Sequence, residues 1–165
     1  AEWRTSRRDA VRVDLPERVG FPGGRALLAA ERGELQVAAE LAGEALAAAC
    51  ALGASDHPWT ADARLARAAV HLARDDLAAA DADLAATPDR GDVPERPVYV
   101  VRASLLASRR LAAGGDTAEA LDVLDRARRL PLRRTYPAAW LAWIDAAEAE
   151  LRLRTADPAT ARALI

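Results

Sequence analysis

Four short breaks divide the Ala- and Leu-rich runs of this sequence: Arg32-Gly33-Glu34-Leu35, Arg74-Asp75-Asp76-Leu77, Gly114-Gly115-Asp116-Thr117 and Thr155-Ala156-Asp157-Pro158. Their acidic residues, Glu34, Asp76, Asp116 and Asp157, recur at intervals of 42, 40 and 41 residues. An Ala follows each of these acidic residues four positions later. A register this regular indicates an internal repeat of about 41 residues.

Each break has the composition of a tight turn between two helices. Gly33 and Gly115 suit the left-handed backbone conformation that ends many helices. Asp116 is a residue type preferred at helix N-caps, and Asp157 followed by Pro158 is an N-cap followed by a residue preset for the first helical turn. We therefore predict that every repeat is a helical hairpin.

The predicted helices form four pairs. The first helices lie near residues 24–32, 60–73, 97–113 and 137–154, and their partners lie near 35–52, 76–86, 117–129 and from 158 to the end. Because a single hairpin cannot bury both of its faces, neighbouring hairpins should stack into a curved solenoid. We expect one all-α domain over residues 1–165, with about four hairpins, the last truncated. Residues 1–23 should be partly irregular, because Pro16, Pro22 and two glycines interrupt them.

The first helices share apolar positions that are four, three and four residues apart, a spacing that keeps them on one helix face. These positions hold Ala61, Leu65, Ala68 and Leu72, then Val101, Leu105, Ser108 and Ala112, then Ala142, Ala146, Ala149 and Leu153. We predict that this inner stripe forms the core between helices.

Composition limits the possible functions. The chain has 165 residues, a net charge of -2 and one cysteine, with 52% hydrophobic and 29% charged residues. This balance is typical of a globular domain. Charges interrupt every apolar run well before the roughly 18 residues that a membrane span requires. The near-neutral charge also gives no simple electrostatic reason for nucleic-acid binding. We expect a fragment of a longer cytoplasmic polypeptide, with no membrane contact and no direct nucleic-acid contact.

Motifs for catalysis and metal binding are sparse. All 23 basic residues are Arg, so the missing Lys excludes a phosphate-binding P-loop within this segment. His57 and His71 are too far apart for a common zinc motif. Cys50 stands alone in an Ala-rich run, which favours an inert, packed thiol. We expect a segment that is not an enzyme and holds no cofactor or metal.

Two charged clusters each allow two interpretations. The acidic cluster contains Asp75, Asp76, Asp81 and Asp83, and it fits a solvated helix face better than an acid–base pair. The basic cluster contains Arg126, Arg128, Arg129, Arg133 and Arg134. It fits compensation of a helix dipole, followed by a solvated loop, better than an anion or nucleic-acid contact.

The strongest candidates for ligand or partner binding are aromatic and basic side chains of the first helices. First helices of stacked hairpins usually line the concave surface of a solenoid. Aromatic faces and Arg forks there would suit a small polar ligand or a peptide. The candidates are Arg64, Arg67, His71, Tyr99, Arg102, Arg109, Trp140 and Trp143. The alternative is that the tryptophans fill gaps between repeats.

Three stretches carry a family resemblance: residues 24–35 (GRALLAAERGEL), 56–65 (DHPWTADARL) and 137–153 (PAAWLAWIDAAEAELRL). They resemble the tetratricopeptide-like domain of large ATP-dependent LuxR-type transcriptional regulators, the family that includes the maltose regulator MalT. The resemblance implies a right-handed superhelix of stacked hairpins. It also implies an upstream nucleotide-binding module and a downstream helix-turn-helix, neither of which lies in this chain. The repeat of about 41 residues is longer than the usual 34 of a tetratricopeptide unit.

The resemblance implies a function for the concave groove, where a small-molecule effector or a protein partner would bind. We therefore predict a non-catalytic effector-sensing and protein-interaction domain of a bacterial LuxR-type transcriptional regulator, with DNA binding supplied by a flanking domain. The alternative is a free-standing tetratricopeptide-like scaffold that binds a protein or peptide. A third, weaker hypothesis is an accessory domain of an enzyme.

Overall fold

The computed structural model describes residues 15–87, 97–129 and 138–155, and every regular element in these ranges is helical, which confirms the all-α class. The elements are a π-helical turn (Pro16–Gly20), α1 (Phe21–Glu31), α2 (Leu35–Ala51), a 3-10 turn (Pro58–Thr60), α3 (Ala61–Ala73), α4 (Leu77–Ala86), α5 (Pro97–Ala113), α6 (Thr117–Arg129) and α7 (Ala138–Arg154). These bounds lie close to the predicted pairs. The fourth second helix, predicted from residue 158, lies outside the described residues.

The chain divides into two compact units, Ala1–Asp89 and Arg90–Ile165. This division is compatible with a repeat array, because each hairpin of such an array contacts only its neighbours and the array can be divided between any two of them. It does not establish that the two units form one domain or a superhelix, so both stay predictions.

In the first unit, two helical hairpins stack on each other. α1 packs against α2 and α3, α2 also packs against α3, and α3 packs against α4. The buried face of α2 consists of Ala38, Ala42, Ala45 and Ala49. Because Ala loses no side-chain entropy and lets helix axes approach closely, this face suits tight stacking.

Two glycines allow close approaches within the first unit. The ring of Trp59, in the 3-10 turn before α3, lies against Gly20, where an added Cβ would clash with it. A Cβ added at Gly23 would lie only 3.1 Å from the backbone nitrogen of Ala63. Glycine at both positions therefore lets the first hairpin approach α3 closely.

Residues 16–23 differ from the partly irregular chain that we expected. They form a π-helical turn that runs directly into α1, and Phe21 donates its backbone N–H to the carbonyl of Pro16. Pro16 stands in the first turn, where its missing N–H removes no helical bond. The π-helical turn also comes just before Pro22. In a regular α-helix the ring of this proline would clash with the carbonyl four residues earlier, and the wider π-helical turn relieves that clash. Residues 1–14 lie outside the described residues.

The second unit is built around α5, α6 and α7, each of which packs against the other two. Its core contains Val101 of α5, Leu124 of α6, and Ile144 and Leu151 of α7. These four side chains are buried and come from all three helices. The apolar faces of the three helices therefore converge on one core.

One backbone turn recurs at three of the four breaks. Gly33, Asp75 and Gly115 have positive φ angles of 77°, 60° and 94°. In each turn the next backbone N–H donates to the carbonyl five residues earlier over 2.9 Å, from Glu34 to Ala29, from Asp76 to His71 and from Asp116 to Leu111. This is the Schellman geometry of helix C-termini. The spacing seen in the sequence thus coincides with a recurring backbone geometry, and the fourth break lies outside the described residues beyond Thr155.

The left-handed residues provide a paired stability test. We expect Gly33→Ala to lower the free energy of unfolding by about 1 kcal/mol, because a Cβ disfavours this conformation. Nothing lies within 4 Å of a Cβ at Gly33, so the loss reflects backbone strain alone. Asp75→Gly removes the same strain and should raise the free energy of unfolding by about 0.5 kcal/mol. Urea denaturation followed by circular dichroism measures both, and changes of the same sign would contradict the shared geometry.

The predicted inner stripe is confirmed only in part. In α3, Ala61, Leu65 and Ala68 are buried and Leu72 is half-buried, and in α5 Val101 and Ser108 are buried while Leu105 and Ala112 are half-buried. In α7 the prediction is wrong for three of the four positions, Ala142, Ala146 and Leu153, which are exposed. The reason is that α7 packs on the hairpin before it through a different face, which carries Ile144 and Leu151.

Candidate functional site

The eight candidate binding residues fall into two local groups, one in each unit. Arg64, Arg67 and His71 lie on α3 of the first unit. The second unit holds the other five, with Tyr99, Arg102 and Arg109 on α5 and Trp140 and Trp143 on α7. Each group has its own partners.

In the first group, Arg67 is bound to a buried carboxylate of the neighbouring helix. Its Nε donates to Oδ2 of Asp83 in α4 over 2.8 Å, and its Nη2 donates to Oδ1 of the same side chain. Asp83 is only 3% exposed. A guanidinium fork held by two parallel bonds is geometrically specific. Arg67 therefore ties α3 to α4, and its fork is already engaged.

The electrostatics of Arg67 follow from this pairing. The hydrogen bond with Asp83 raises the pKa of the Arg67 guanidinium above its ordinary value, although burial opposes the rise. A carboxylate buried next to a guanidinium is stabilised as an ion pair rather than left as an isolated charge. Arg67 and Asp83 thus form a structural contact between the two helices of this hairpin.

His71 lies one turn after Arg67 and faces two carboxylates. Its Nε2 is 3.6 Å from Oδ2 of Asp83, and its Nδ1 is 3.8 Å from Oδ2 of Asp76. Asp76 is the N-cap of α4, where its Oδ1 accepts a hydrogen bond from the backbone N–H of Ala79 over 3.1 Å. The side chains of His71 and Arg67 are therefore turned toward the turn and helix that follow α3.

The solvated interpretation of the acidic cluster is wrong for Asp83. This residue is buried and paired with Arg67, whereas Asp75 and Asp76 are exposed at the turn and Asp81 is half-buried. Arg67 and Asp83 are 16 positions apart in sequence, so local spacing rules do not identify the pair. The antiparallel hairpin itself supplies the signal, because positions at similar distances before and after the turn can face each other.

Arg64, the third residue of this group, fixes the segment before α3. Its Nη2 donates to the backbone carbonyl of Ser55 over 3.0 Å. Thr60 reinforces the same segment, because its Oγ1 donates to the carbonyl of His57 over 2.8 Å. In turn, Nδ1 of His57 accepts from the backbone N–H of Trp59 over 3.3 Å. Arg64 therefore contributes to the shape of the connection between the hairpins.

The second group contains a contact between two of the predicted residues. The guanidinium carbon of Arg102 in α5 lies 6.0 Å from the ring centroid of Trp143 in α7. This is the outer limit of a cation–π contact. Trp143 is exposed, and Arg102 is half-buried. The pair presents an indole and a guanidinium together at the surface where α5 meets α7.

The remaining residues of the second group have different surroundings. Trp140 is half-buried and packs against the core of the second unit, which supports the alternative that it fills space between helices. Tyr99 is also half-buried, while Arg109 is exposed. Trp59, Tyr99 and Trp140 occupy equivalent repeat positions, 40 and 41 residues apart. An aromatic residue near the start of three of the four first helices is therefore a repeated feature that the repeat register could have identified, whereas the equivalent position of the first hairpin is Glu17.

Sequence reasoning missed a charged network between α6 and α7. Nη1 of Arg128 donates to Oε2 of Glu148 over 2.9 Å, and Nη2 of Arg128 pairs with Asp145. Arg152 donates through its Nε to Oε1 of Glu148 over 2.9 Å. The signal was available, because Asp145, Glu148 and Arg152 share one face of α7 at helical spacing. Burial lowers the pKa of Arg128, but the hydrogen bonds with Glu148 and Asp145 outweigh this and raise it overall.

The part of the basic cluster in α6 lies in the last turn of that helix, as the predicted compensation of the helix dipole requires, but two of its members also form ion pairs. Arg128 joins two helices, and Arg129 pairs with Asp125 of the same helix over 2.9 Å. Arg126 is exposed. Arg133 and Arg134 lie outside the described residues. The part of the cluster in α6 is therefore divided between solvent and ion pairs.

Cys50 differs from the packed thiol that we predicted, because it is exposed on α2. Its neighbour Ala49 takes the buried position instead.

Among the described residues, no three His, Cys, Asp or Glu side chains converge as a metal site would require. Over the same ranges, no helix combines the length and hydropathy needed to cross a membrane.

Comparisons with protein-family models, with curated proteins and with solved structures find no match to this chain.

Proposed function

We propose that this chain is a non-catalytic effector-sensing and protein-interaction domain of a bacterial LuxR-type transcriptional regulator. The single observation that supports ligand binding is the Arg102–Trp143 pair, which spans α5 and α7 and leaves the indole accessible. An exposed aromatic face beside a guanidinium suits a planar or anionic group. A small polar effector or a peptide segment of a protein partner would offer such groups.

The location of the pair suggests how binding would act on the protein. A ligand that contacts both α5 and α7 would favour one relative placement of the two helices over another. Such a ligand can shift the conformational equilibrium only by the difference between its affinities for the two placements. In the proposed regulator, this shift would reach flanking modules that hydrolyse ATP and bind DNA, in the cytoplasm.

The first test concerns the parent reading frame on both sides of Ala1 and Ile165. A phosphate-binding loop upstream and a helix-turn-helix downstream would support the regulator. More hairpins upstream and a stop codon soon after Ile165 would instead favour the alternative, a free-standing scaffold for a protein or peptide.

The second test concerns the binding surface itself. We expect a panel of amino acids, sugars and nucleotides to contain a compound that raises the melting temperature of the wild-type chain. Trp143→Ala should remove that rise, whereas Val37→Ala, which truncates an exposed apolar residue of the other unit, should keep it. An equal rise in wild type and Trp143→Ala would contradict the proposed surface.

A further inference from the structure

One side chain of the α3–α4 hairpin, His71, lies between two carboxylates. Its Nε2 is 3.6 Å from Oδ2 of Asp83, and its Nδ1 is 3.8 Å from Oδ2 of Asp76. A neutral imidazole carries a proton on only one of its two nitrogens, whereas the imidazolium carries one on each. Because both nitrogens of His71 face a carboxylate oxygen, this arrangement suits the charged form of the ring.

The charged groups around His71 are short of one positive charge. Arg67, one turn earlier on α3, supplies a single positive charge against the two carboxylates, and its fork is already engaged by Asp83. The neighbouring Arg74 and Asp75 have opposite charges and are exposed. Among the described residues, no carboxylate of α1 or α2, which also pack on α3, forms an ion-pair contact with His71. One negative charge therefore stays unbalanced until the ring is protonated.

His71 and Asp76 are also joined through the backbone of a strained turn. The N–H of Asp76 donates to the carbonyl of His71 over 2.9 Å. Between them lies Asp75, the one non-glycine residue with a positive φ, 60°, in the described part of the chain. Such a conformation costs energy and persists where surrounding contacts hold it. An ion pair between the side chains of His71 and Asp76 would therefore stabilise both this turn and the start of α4.

The repeat register shows that the fold does not require these polar residues. His71 and Asp83 stand five residues before and seven residues after the acidic residue of their break, and the same two positions are apolar in the α1–α2 and α5–α6 hairpins. They hold Ala29 and Leu41 in the former and Leu111 and Val123 in the latter. An apolar contact of similar volume is often as stable as a buried ion pair. Charged groups at these positions instead make the contact between α3 and α4 depend on protonation.

We propose that His71 is a pH-dependent clasp of the α3–α4 hairpin. In its protonated form His71 pairs with Asp76 and Asp83, and it holds the turn and the start of α4 against α3. In its neutral form it donates at most one hydrogen bond. Histidine side chains change charge between about pH 5 and about pH 8, so mild acidification stiffens the hairpin. Since only the protonated ring forms both ion pairs, their contribution is present at the acidic end of this window and is lost as the pH rises.

The test is amide hydrogen exchange of the intact chain, followed by NMR at about pH 5.5 and about pH 7.5. Protection factors remove the intrinsic pH dependence of exchange, and they report the opening of individual segments. The amides of Asp76, Ala79 and Ala80 bond within the turn and the start of α4. We expect their protection to be about fivefold greater at the lower pH, as two partly exposed ion pairs would give. The amides of Asp116 and Ala120, in the equivalent turn before α6, should show no such change.

Three variants assign the change to its source. His71→Gln keeps a polar side chain but carries no charge at either pH, so its protection factors should be equal at the two values. Asp76→Asn keeps a residue suited to an N-cap but removes one of the two carboxylates, so its response should be smaller than that of the wild type. The matched control is His57→Gln, which removes the other histidine and should leave the response unchanged.

The clasp would be overturned by equal protection of the wild type at both pH values, by greater protection at the higher pH, or by a response that persists in His71→Gln. Circular dichroism shows whether each variant is folded. If His71→Gln is not, Asp76→Asn decides, because Asp76 is exposed, and an undiminished response there overturns the proposal. The clasp lies in the first unit and the proposed effector surface in the second, so the outcome does not depend on that surface.

Discussion

Leu124→Ala is expected to lower the free energy of unfolding of the second unit by about 3 kcal/mol. Leu124 of α6 is 1% exposed and packs in one cluster with Val101, Ile144 and Leu151. Because these partners belong to the two other helices of the unit, truncation opens a cavity that no single side chain can fill. Urea denaturation followed by circular dichroism measures the change in free energy.

Two further Leu substitutions serve as controls for this prediction. Leu105→Ala should cost less, about 1.5 kcal/mol, because Leu105 is half-buried at the edge of the same cluster. Leu153→Ala should change the free energy of unfolding by less than about 0.5 kcal/mol, because Leu153 is 55% exposed. If Leu105→Ala and Leu153→Ala both cost as much as Leu124→Ala, the inner stripe of the sequence would describe the core better than the packing in this structure does.

The helix pairs could be predicted from the sequence because their ends have local causes. Gly33 and Gly115 provide the left-handed conformation that ends a helix, and both adopt it. Asp75 adopts it too, although its residue type gives a weaker signal. Turn chemistry of this kind acts within a few residues, so the spacing of the breaks was enough to locate α1–α6.

The side of each helix that becomes buried could not be predicted as well. The apolar positions of α7 extend around much of the helix, so Ala142 and Ile144 both belong to possible apolar faces in sequence, yet of the two only Ile144 is buried. Which of them packs depends on the hairpin that α7 meets, and that is a property of the tertiary structure. The same limit applies to the candidate site, where Arg67 and Trp143 were chosen together but have different partners.

Charge pairs were the least predictable part of the candidate site. Asp83 was placed among solvated carboxylates, because Asp75, Asp76 and Asp81 lie within eight residues of it in sequence. Its partner Arg67 comes from the previous helix and reaches it only when the hairpin closes. Arg128 reaches Asp145 and Glu148 in the same way, across the connection between α6 and α7.

Arg67→Met should destabilise the first unit by roughly 3 kcal/mol, because it leaves the carboxylate of Asp83 buried without its guanidinium. Asp83→Leu should cost less, about 1 kcal/mol, since the side chain of Arg67 is 39% exposed and can turn toward water. The double variant should recover most of the loss, because an apolar pair of similar volume replaces the ion pair. Equal and additive losses in a double-mutant cycle measured by urea denaturation would contradict this asymmetry.

The pH dependence of the Arg67 contribution follows from the sign of its pKa shift. The folded state raises the pKa of Arg67, mainly through the hydrogen bond with Asp83, so folding favours the protonated guanidinium. This contribution is complete below the pKa of Arg67 in the unfolded chain, and it declines only as the pH rises through the higher pKa of the folded state. Both values are strongly alkaline. Because Arg67 therefore stays protonated in both states, the difference in unfolding free energy between wild type and Arg67→Met should be constant from about pH 7 to about pH 9. Urea denaturation at a series of pH values measures this difference. A difference that falls steadily over the range would contradict the prediction, because it would mean that a group titrating near neutrality controls the loss of stability.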